Sequence, residues 1–465
     1  MGKKVMVLGL DCATPQLVFN KWLDHLPNIR RLIQNGIHGK LRSSDPPITV
    51  PAWATLTTSQ DPGQLGFYGF RNRSRYDYSS LSIVDSSSLK AKTIWDILGE
   101  GGYRSIVIGV PPSYPPKPLN GYAVSCFLTP GTDVPYTYPA SLAEEVERVV
   151  GEYQFDVEHF RSAQPDDILK QIYDMTEKRF KLASHLVKTK NWDFFMMVEM
   201  GVDRIHHAFW QHMDNKHVLY EPDSPYRHAI FDYYTFIDRK IGVLMEQVTE
   251  DCLVLIVSDH GAKRMDGGFC INEWLIQEGL LTLKQPVDRV TPLTSDMVNW
   301  PKTRAWGYGG YYGRLILNVK GREPEGVIPK SRYNKVRNAI IKKMHQLKDE
   351  NGNSLNTKAF KPDKLYRQTK NVPPDVFIYF GNLFWRSIGS VGHDKLYIYE
   401  NDSGPDGANH DYNGIFIASR INSRTKVIGA GRTIEKLRLL DVTPSVLRYF
   451  GIRPPTYMQG KSVPL

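Results

Sequence analysis

Six acidic or imidazole side chains flank short apolar runs of the kind that form buried strands. They are Asp11, Asp203, His207, Asp259, His260 and His410. Ligands of open α/β sheets bind beyond the carboxyl ends of the strands. We therefore expect at least four of these side chains to converge at one edge of a sheet.

The spacing within this set is typical of metal ligands. Asp203 and His207 stand at positions i and i+4, so a helical turn places both on one face, within reach of one ion. Carboxylate and neutral imidazole suit zinc or manganese. Asp259 and His260 are adjacent, and Gly261 supplies a turn that would aim both inward. Taken singly, each residue also fits a plainer role, since an aspartate at a strand end is often a helix N-cap.

A threonine between prolines is the candidate nucleophile. Thr49 lies in the segment PPITVPAW, and Pro51 fits the first turn of a helix. Thr49 would then lie at a helix N-terminus, where the helix dipole and the free N–H groups favour a phosphate. A threonine that only caps the helix explains the same position, and a cap and a nucleophile are not exclusive.

The elements that must position these residues alternate along the chain. Continuously apolar runs indicate buried parallel strands, and helical patterns lie between them. The runs are Val5–Leu10, Ser105–Val110, Phe194–Glu199, Leu253–Ser258, Asp375–Phe380 and Gly414–Ala418. The alternation predicts an α/β fold with a doubly wound, mostly parallel central sheet and helices on both faces.

Two regions interrupt this alternation and are expected to be insertions over the sheet edge. One is a loop region rich in Pro, Tyr and Gly at about 111–165. The other, 284–370, contains a predicted hairpin at Arg304–Lys320 and a charged helix near Tyr333–Asp349. We expect 1–283 and 371–465 to form the catalytic core and 284–370 to form an inserted cap. Plain surface elaboration is the alternative for both insertions.

The composition is that of a globular protein. The 465 residues include 59 basic and 49 acidic ones, a net charge of +10, but no long run of like charges marks a nucleic-acid-binding tail. The basic excess suits an anionic substrate, and it equally suits a well-solvated surface. The four cysteines, which form no CxxC pair, are expected to be buried thiols in a reducing compartment. The apolar run near the N-terminus is too short for a signal sequence or a membrane span, so we expect a cytoplasmic protein.

Taken in order, several segments resemble the alkaline phosphatase superfamily, in its type I phosphodiesterase/nucleotide pyrophosphatase branch. They are GLDCATPQLV, LPNIRRLIQNG, PPITVPAWATLTT, VPPSYPPKPLNGY, VSDHGA, INEWLIQEGLL, ILNVKGREPEG and LLDVTPSVLRYFGIRPPTYMQG. Together they span nearly the whole chain. Within the superfamily, the chain resembles most closely a group described as predicted phosphohydrolases or phosphomutases.

The resemblance implies a site for two divalent metal ions, with Zn²⁺ favoured over Mn²⁺. In the family, the first metal is held by an aspartate after the first strand, the nucleophile and an Asp-His pair. These correspond here to Asp11, Thr49, Asp259 and His260. The second metal is held by a DxxxH pair and a late histidine. These correspond to Asp203, His207 and His410.

A few positions compete with this assignment or depart from the family. His206 is out of register with the DxxxH pair, and His393 is a weaker rival of His410 for the last ligand. An asparagine that holds a phosphoryl oxygen in the nucleotide pyrophosphatases corresponds here to Phe70, so Arg71 or Asn72 is expected to bind the substrate instead. The CxPxR motif of the sulfatases is absent.

The implied function is that of a metal-dependent phosphohydrolase. It would cleave a small-molecule phosphate mono- or diester through a phosphothreonine on Thr49. A phosphomutase, which returns the phosphoryl group to another oxygen, is a second interpretation. A catalytically silent metal- or ligand-binding protein on the same scaffold is a third, but it gives no reason for every ligand position and the nucleophile position to be filled.

Overall fold

Helices and strands alternate along most of the chain. The computed structural model describes residues 3–401, 404, 406–423, 425–427 and 429–465. The α-helices of the described residues are α1 (Pro27–Asn35), α2 (Thr49–Thr58), α3 (Pro62–Leu65), α4 (Ile94–Glu100), α5 (Leu142–Val150), α6 (Pro165–Thr189), α7 (Gly201–Met213), α8 (Ala229–Glu246), α9 (Ile271–Gln277), α10 (Tyr333–His345), α11 (Pro362–Leu365) and α12 (Leu439–Phe450). The strands are β1 (Lys4–Leu10), β2 (Ile37–Arg42), β3 (Arg71–Arg73), β4 (Leu81–Ile83), β5 (Ser105–Ile108), β6 (Gly121–Val124), β7 (Thr137–Tyr138), β8 (Phe194–Glu199), β9 (Cys252–Val257), β10 (Gly261–Arg264), β11 (Gly267–Cys270), β12 (Thr291–Pro292), β13 (Ala305–Tyr308), β14 (Gly313–Leu317), β15 (Lys358–Phe360), β16 (Val376–Tyr379), β17 (Trp385–Ile388), β18 (Ser390–Val391), β19 (Tyr397–Ile398), β20 (Ala408–Asp411), β21 (Asn413–Ile421) and β22 (Leu437–Arg438).

A nine-stranded sheet forms the centre of the protein, in the order β22-β2-β21-β9-β1-β8-β5-β6-β7. The five strands β9, β1, β8, β5 and β6 run parallel to one another. Helices pack on both faces in two groups, one around α6, α7 and α8 and the other around α2 and α12. Strands β1, β8 and β9 are apolar along their length because helices cover both of their faces. This is the doubly wound, mostly parallel α/β fold that the sequence predicts.

Two of the predicted parallel strands have other partners. The run Asp375–Phe380 does contain a buried strand, β16, but β16 pairs antiparallel with β14 and β15 in a separate four-stranded sheet. The run Gly414–Ala418 lies in β21, which belongs to the central sheet but is antiparallel to both β2 and β9. A continuous apolar run indicates burial on both faces and carries no information on the direction of the neighbouring strands. For that reason these two predictions were wrong.

A second hydrophobic core lies outside the central sheet. It is built from the four-stranded sheet β13-β14-β16-β15 together with α9 and α10, and its buried residues come from positions 269–385. Strands β13 and β14 pair antiparallel, which confirms the hairpin predicted at Arg304–Lys320. The division of the chain at 284 and 371 into core and cap stays a prediction.

All four cysteines are buried, and no disulfide joins any of them. Across the described residues, every helix is too short or too polar to pass through a lipid bilayer.

Candidate active site

The residues singled out as ligands and nucleophile come together at one edge of the central sheet. They are Asp11, Thr49, Asp203, His207, Asp259, His260 and His410, and all seven are buried. Strands β1, β8 and β9 are neighbours, and their carboxyl ends lead directly into the segments that carry the three aspartates. His410 lies in strand β20. This strand pairs with β10, which begins at the residue after His260. The convergence follows from the topology of the sheet, as expected of parallel strands.

The first group of ligand atoms surrounds the Nε2 atom of His260. This nitrogen lies 3.1 Å from Asp259 Oδ2 and 3.7 Å from Asp11 Oδ1. It also lies 3.3 Å from the Oγ1 atom of Thr49. The two carboxylates, the imidazole and the threonine hydroxyl therefore surround one small volume.

The second group lies beside the first and is centred on Asp203 Oδ1. His207 Nε2 is 3.2 Å and His410 Nε2 is 3.8 Å from this oxygen. The two nitrogen atoms are themselves 3.2 Å apart. The rings of His260 and His410 stack with centroids 3.8 Å apart, so the two groups are adjacent.

Each histidine is held by its Nδ1 atom, so that Nε2 faces the ligand group. His410 Nδ1 lies 2.8 Å from the Pro47 carbonyl oxygen, and His260 Nδ1 lies 3.2 Å from the carbonyl oxygen of Gly261. Because a carbonyl oxygen only accepts, Nδ1 must carry the proton in both rings, and Nε2 presents a lone pair. His207 Nδ1 is held in the same way by Asp406 Oδ1, at 2.7 Å.

Each of the three aspartates is likewise held through one of its two carboxylate oxygens. Trp53 Nε1 donates to Asp11 Oδ2 at 2.7 Å, Arg204 donates to Asp203 Oδ2 at 2.5 Å, and the Cys12 N–H donates to Asp259 Oδ1 at 3.2 Å. The other oxygen of each carboxylate is buried and accepts no hydrogen bond from any residue that the structure describes. These are the oxygens that face the histidine Nε2 atoms. Buried polar atoms without partners are rare, and several of them converging on one point indicate a site for a cation.

The electrostatics of the site also favour bound cations. Burial, reinforced by a neighbouring carboxylate, raises the pKa of both Asp11 and Asp259 well above the usual range. Burial lowers the pKa of His260 to about 4 and holds that of His410 well below its usual value, so both rings are neutral at physiological pH. Neutral imidazoles and crowded carboxylates are the donor set that a divalent ion needs, and its charge would relieve the repulsion between the carboxylates.

Thr49 begins helix α2, as the position of Pro51 predicts. Thr49 is 3% exposed, and its hydroxyl faces His260. The free N–H groups at this end of the helix, with the positive end of the helix dipole, suit an anion beside the hydroxyl. One turn further along α2, Trp53 makes the hydrogen bond that orients Asp11. Helix α2 thus supplies the nucleophile candidate and fixes a ligand.

Three further residues support the second group and were missed in the sequence. Asp406 accepts from Arg161 Nη1 at 2.6 Å and from the Tyr311 hydroxyl at 3.1 Å, in addition to its contact with His207. Burial alone would lower the pKa of His207, but the carboxylates around it, Asp406 foremost, raise that pKa to about 9. His207 therefore has to release the proton on Nε2 before this atom can bind a cation. The signal for Asp406 was its D-x-x-x-H spacing to His410. No local pattern marks Tyr311 or Arg161.

The other candidates named from the sequence lie outside the two groups. His206 contacts the Tyr234 hydroxyl at 3.2 Å, and His393 contacts Ser390 Oγ at 2.8 Å. Asn72 accepts from the Tyr68 N–H and donates to the Gly69 carbonyl oxygen, and both contacts hold the local turn. Arg71 is exposed and lines a neighbouring cavity.

The fold and these ligand groups define a metal-dependent hydrolase of phosphoric esters. A family model described as type I phosphodiesterase / nucleotide pyrophosphatase matches residues 5–412, and the chain therefore belongs to this family. No curated protein sequence matches the chain.

Several solved structures share the fold. Human ectonucleotide pyrophosphatase/phosphodiesterase 5 is similar with a TM-score of 0.56 and 14% identity, over 97% of this chain and 96% of that chain. An inactive threonine-to-alanine variant of the murine protein, in complex with AMP, has a TM-score of 0.56 and 13% identity, with the same coverage. Phosphonoacetate hydrolase from Sinorhizobium meliloti 1021, in complex with phosphonoacetate, has a TM-score of 0.58 and 14% identity over 95% of this chain and 94% of that chain.

Proposed function

We propose that the protein cleaves a phosphate ester by attack of Thr49 Oγ1 on phosphorus, through a phosphothreonine, at a site for two divalent cations. The observation that carries this proposal is the convergence of buried carboxylate oxygens and histidine Nε2 atoms, unpartnered among the described residues in the case of the oxygens, beside the Thr49 hydroxyl. A purely structural polar cluster would pair these atoms with one another or with backbone groups.

The donor atoms divide into two sets. Asp11, Thr49, Asp259 and His260 would hold one cation, and Asp203, His207 and His410 would hold the other. His260 also lies close to Asp203 and His410, so the two sites are adjacent. Oxygen and nitrogen donors suit both Zn²⁺ and Mn²⁺. When bound, such a pair of cations lowers the pKa of a hydroxyl and offsets negative charge on phosphoryl oxygens.

The chain itself supplies the nucleophile and its orientation. The Thr49 hydroxyl loses its proton as its oxygen attacks phosphorus, and the bond from phosphorus to the ester oxygen breaks on the opposite side. The departing alkoxide takes up one proton from solvent and leaves as the alcohol, so that the step is balanced. The N–H groups at the start of α2 point toward the position of the phosphoryl oxygens. The oxygen of a water molecule then forms a bond to phosphorus, the bond between phosphorus and Thr49 Oγ1 breaks, and Thr49 regains a proton as the phosphate product is released. Since Thr49 is buried, the site limits the access of bulk water to this intermediate.

A comparison with the relatives supports a threonine nucleophile. The murine relative described above is inactive as a threonine-to-alanine variant and binds AMP in that form. The bacterial relative binds phosphonoacetate, a small anion with a tetrahedral phosphorus. Both ligands are small phosphorus-containing anions, in line with a small phosphate ester as the substrate here.

The proposal is tested by hydrolysis of p-nitrophenyl phosphate and of bis-p-nitrophenyl phosphate with added Zn²⁺ or Mn²⁺. We expect activity on at least one ester, and a loss of at least ~10³-fold in kcat, about 4 kcal/mol, in Thr49→Ala. Thr57→Ala is the matched control, because Thr57 lies in the same helix and its hydroxyl donates to backbone carbonyl oxygens of that helix.

The outcomes separate the competing interpretations. Thr49→Ala that keeps its metal and its turnover would refute the mechanism. An isomerised product without released phosphate would identify a phosphomutase. Bound metal without turnover of any ester would favour a silent binding protein.

A further inference from the structure

A cavity of about 480 Å³ lies next to the candidate active site, a size typical of small-molecule sites. Three aromatic residues, Tyr78, Trp300 and Trp306, form part of its wall, and the rings of Tyr78 and Trp300 stack with centroids 3.6 Å apart. Two arginines, Arg71 and Arg386, also line it. The cavity therefore combines flat apolar surface with positive charge.

A single loop connects this cavity with the metal-ligand groups. Gly309 and Gly310 line the cavity, and the next residue, Tyr311, stacks on the His207 ring with centroids 4.8 Å apart. The backbone N–H of Gly310 donates to the Ser387 carbonyl oxygen, and the Ser387 N–H donates back to Gly310, both at 2.9 Å. These bonds hold the loop against β17. The loop that lines the cavity therefore also contacts a candidate metal ligand.

Arg386 is a buried cation whose hydrogen-bonding groups are incompletely satisfied within the described residues. Arg386 is 7% exposed, and its Nε and Nη1 atoms make no hydrogen bond within the described part of the chain. The carboxylate nearest to it is Asp406, whose Oδ2 lies 3.6 Å from Nη1. That same oxygen already accepts from Arg161 at 2.6 Å and from Tyr311. Asp406 Oδ2 is thus already engaged, and Arg386 Nε and Nη1 are left without a hydrogen-bond acceptor among the described residues.

Burial of a guanidinium group costs free energy unless an anion compensates it. An anionic ligand in the cavity would complete the pairing of Arg386. Arg71 adds a second cation at the exposed side of the same cavity. Its backbone carbonyl oxygen accepts from Arg314, at 2.5 Å, which fixes the strand that carries it. Arginine is suited to phosphate and carboxylate groups because its N–H groups form a planar fork.

We propose that this cavity binds a second anionic group of the substrate, distinct from the phosphoryl group that Thr49 attacks. The substrate would then be a phosphate ester that carries a further phosphate or carboxylate, with Arg386 and Arg71 as the partners of that group. Tyr78 and Trp306 would contact the apolar part between the two charges. This inference rests on the proposed function, because it assigns the reacting phosphoryl group to the metal-ligand site.

The test uses alkane diphosphonates of increasing chain length as inert probes, with alkyl monophosphonates of the same lengths as references. Each is measured as a competitive inhibitor of ester hydrolysis by the metal-loaded protein and by titration calorimetry. We expect the best diphosphonate to bind about 10-fold or more tightly than its monophosphonate, as for a charge-assisted arginine contact. Arg386→Gln should remove this advantage, and Arg71→Ala should reduce it, each measured as the ratio of diphosphonate affinity to monophosphonate affinity within the same variant.

Two controls keep the outcome clear. Arg30→Ala removes an exposed arginine of α1 that pairs with Asp24, and it should leave the advantage intact. If Arg386→Gln does not fold, the Arg71→Ala variant tests the inference by itself, because Arg71 is exposed and its side chain can be removed without disturbing the core. The inference is overturned if no diphosphonate binds more tightly than its monophosphonate, or if the advantage survives in both variants. Failure of the proposed function gives a different result, namely no ester hydrolysis and no inhibition or binding by the monophosphonates.

Discussion

Asp406→Asn tests whether the carboxylate behind His207 controls metal binding. One oxygen of Asp406 accepts from His207 Nδ1 at 2.7 Å, and the other accepts from Arg161 at 2.6 Å and from Tyr311 at 3.1 Å. An asparagine has one acceptor oxygen in place of two. If that oxygen faces His207, the amide NH₂ group faces Arg161, donor against donor. In the opposite orientation, His207 loses its acceptor.

The size of the effect follows from this loss. Either orientation removes one buried, charge-assisted hydrogen bond, which contributes about 1.5–3 kcal/mol. Replacement of a residue that orients a metal-binding histidine lowers metal affinity about 10–100-fold, or about 1.4–2.7 kcal/mol, so the two figures agree. We expect the affinity of the site formed by Asp203, His207 and His410 to fall by this factor.

The assay is a titration of the metal-free protein with Zn²⁺ in competition with a chelating indicator. Asp406→Asn should still bind two ions, one of them 10–100-fold more weakly than the wild type does, and excess Zn²⁺ should restore most of the ester hydrolysis. Asp411→Asn is the matched control, because Asp411 also lies in β20 but pairs with Lys263 at 2.9 Å. Unchanged Zn²⁺ affinity at both sites of Asp406→Asn would refute this account of His207.

Two further predictions concern the metals and the first group of ligands. Removal of metal by a chelator should abolish ester hydrolysis and lower the melting temperature, because three buried carboxylates lose their compensating charge. Added Zn²⁺ or Mn²⁺ should restore both the activity and the melting temperature. Full activity of protein shown to be metal-free would contradict the two-cation site. Trp53→Phe removes the N–H that donates to Asp11, so it should cost about 1–3 kcal/mol in urea unfolding and also weaken one Zn²⁺ site. The control variant is Trp192→Phe, which removes a hydrogen bond to the Val187 carbonyl oxygen and should lower stability without changing Zn²⁺ affinity. Equal Zn²⁺ affinity in Trp53→Phe and Trp192→Phe would show that Trp53 does not orient Asp11.

Much of the sheet edge could be predicted because its signals are local. Asp11 and the Asp259-His260 pair directly follow buried apolar runs, and Asp203 and His207 share a helical face by their spacing. The central position of β1 then brings these groups together. For these residues, strand ends and helical spacing carry enough information to place the side chains.

Other parts depend on contacts between distant segments and could not be predicted. The apolar run at β16 shows that the strand is buried, but its pairing with β14 and β15 depends on the second core. Tyr311 lies in a hairpin turn about a hundred residues from His207 in the sequence and contacts the His207 ring. No sequence pattern near Tyr311 indicates that contact. Residues that support ligands, as opposed to ligands themselves, are therefore the part of the site that requires the structure.

The stereochemical course at phosphorus tests the central claim most directly, since it does not require the intermediate to accumulate. A substrate that is chiral at phosphorus is turned over by the metal-loaded protein in isotopically labelled water. Attack by Thr49 followed by attack of water gives two in-line displacements, so the account predicts retention of configuration. Inversion would mean that water attacks the ester directly, and it would contradict a phosphothreonine on Thr49.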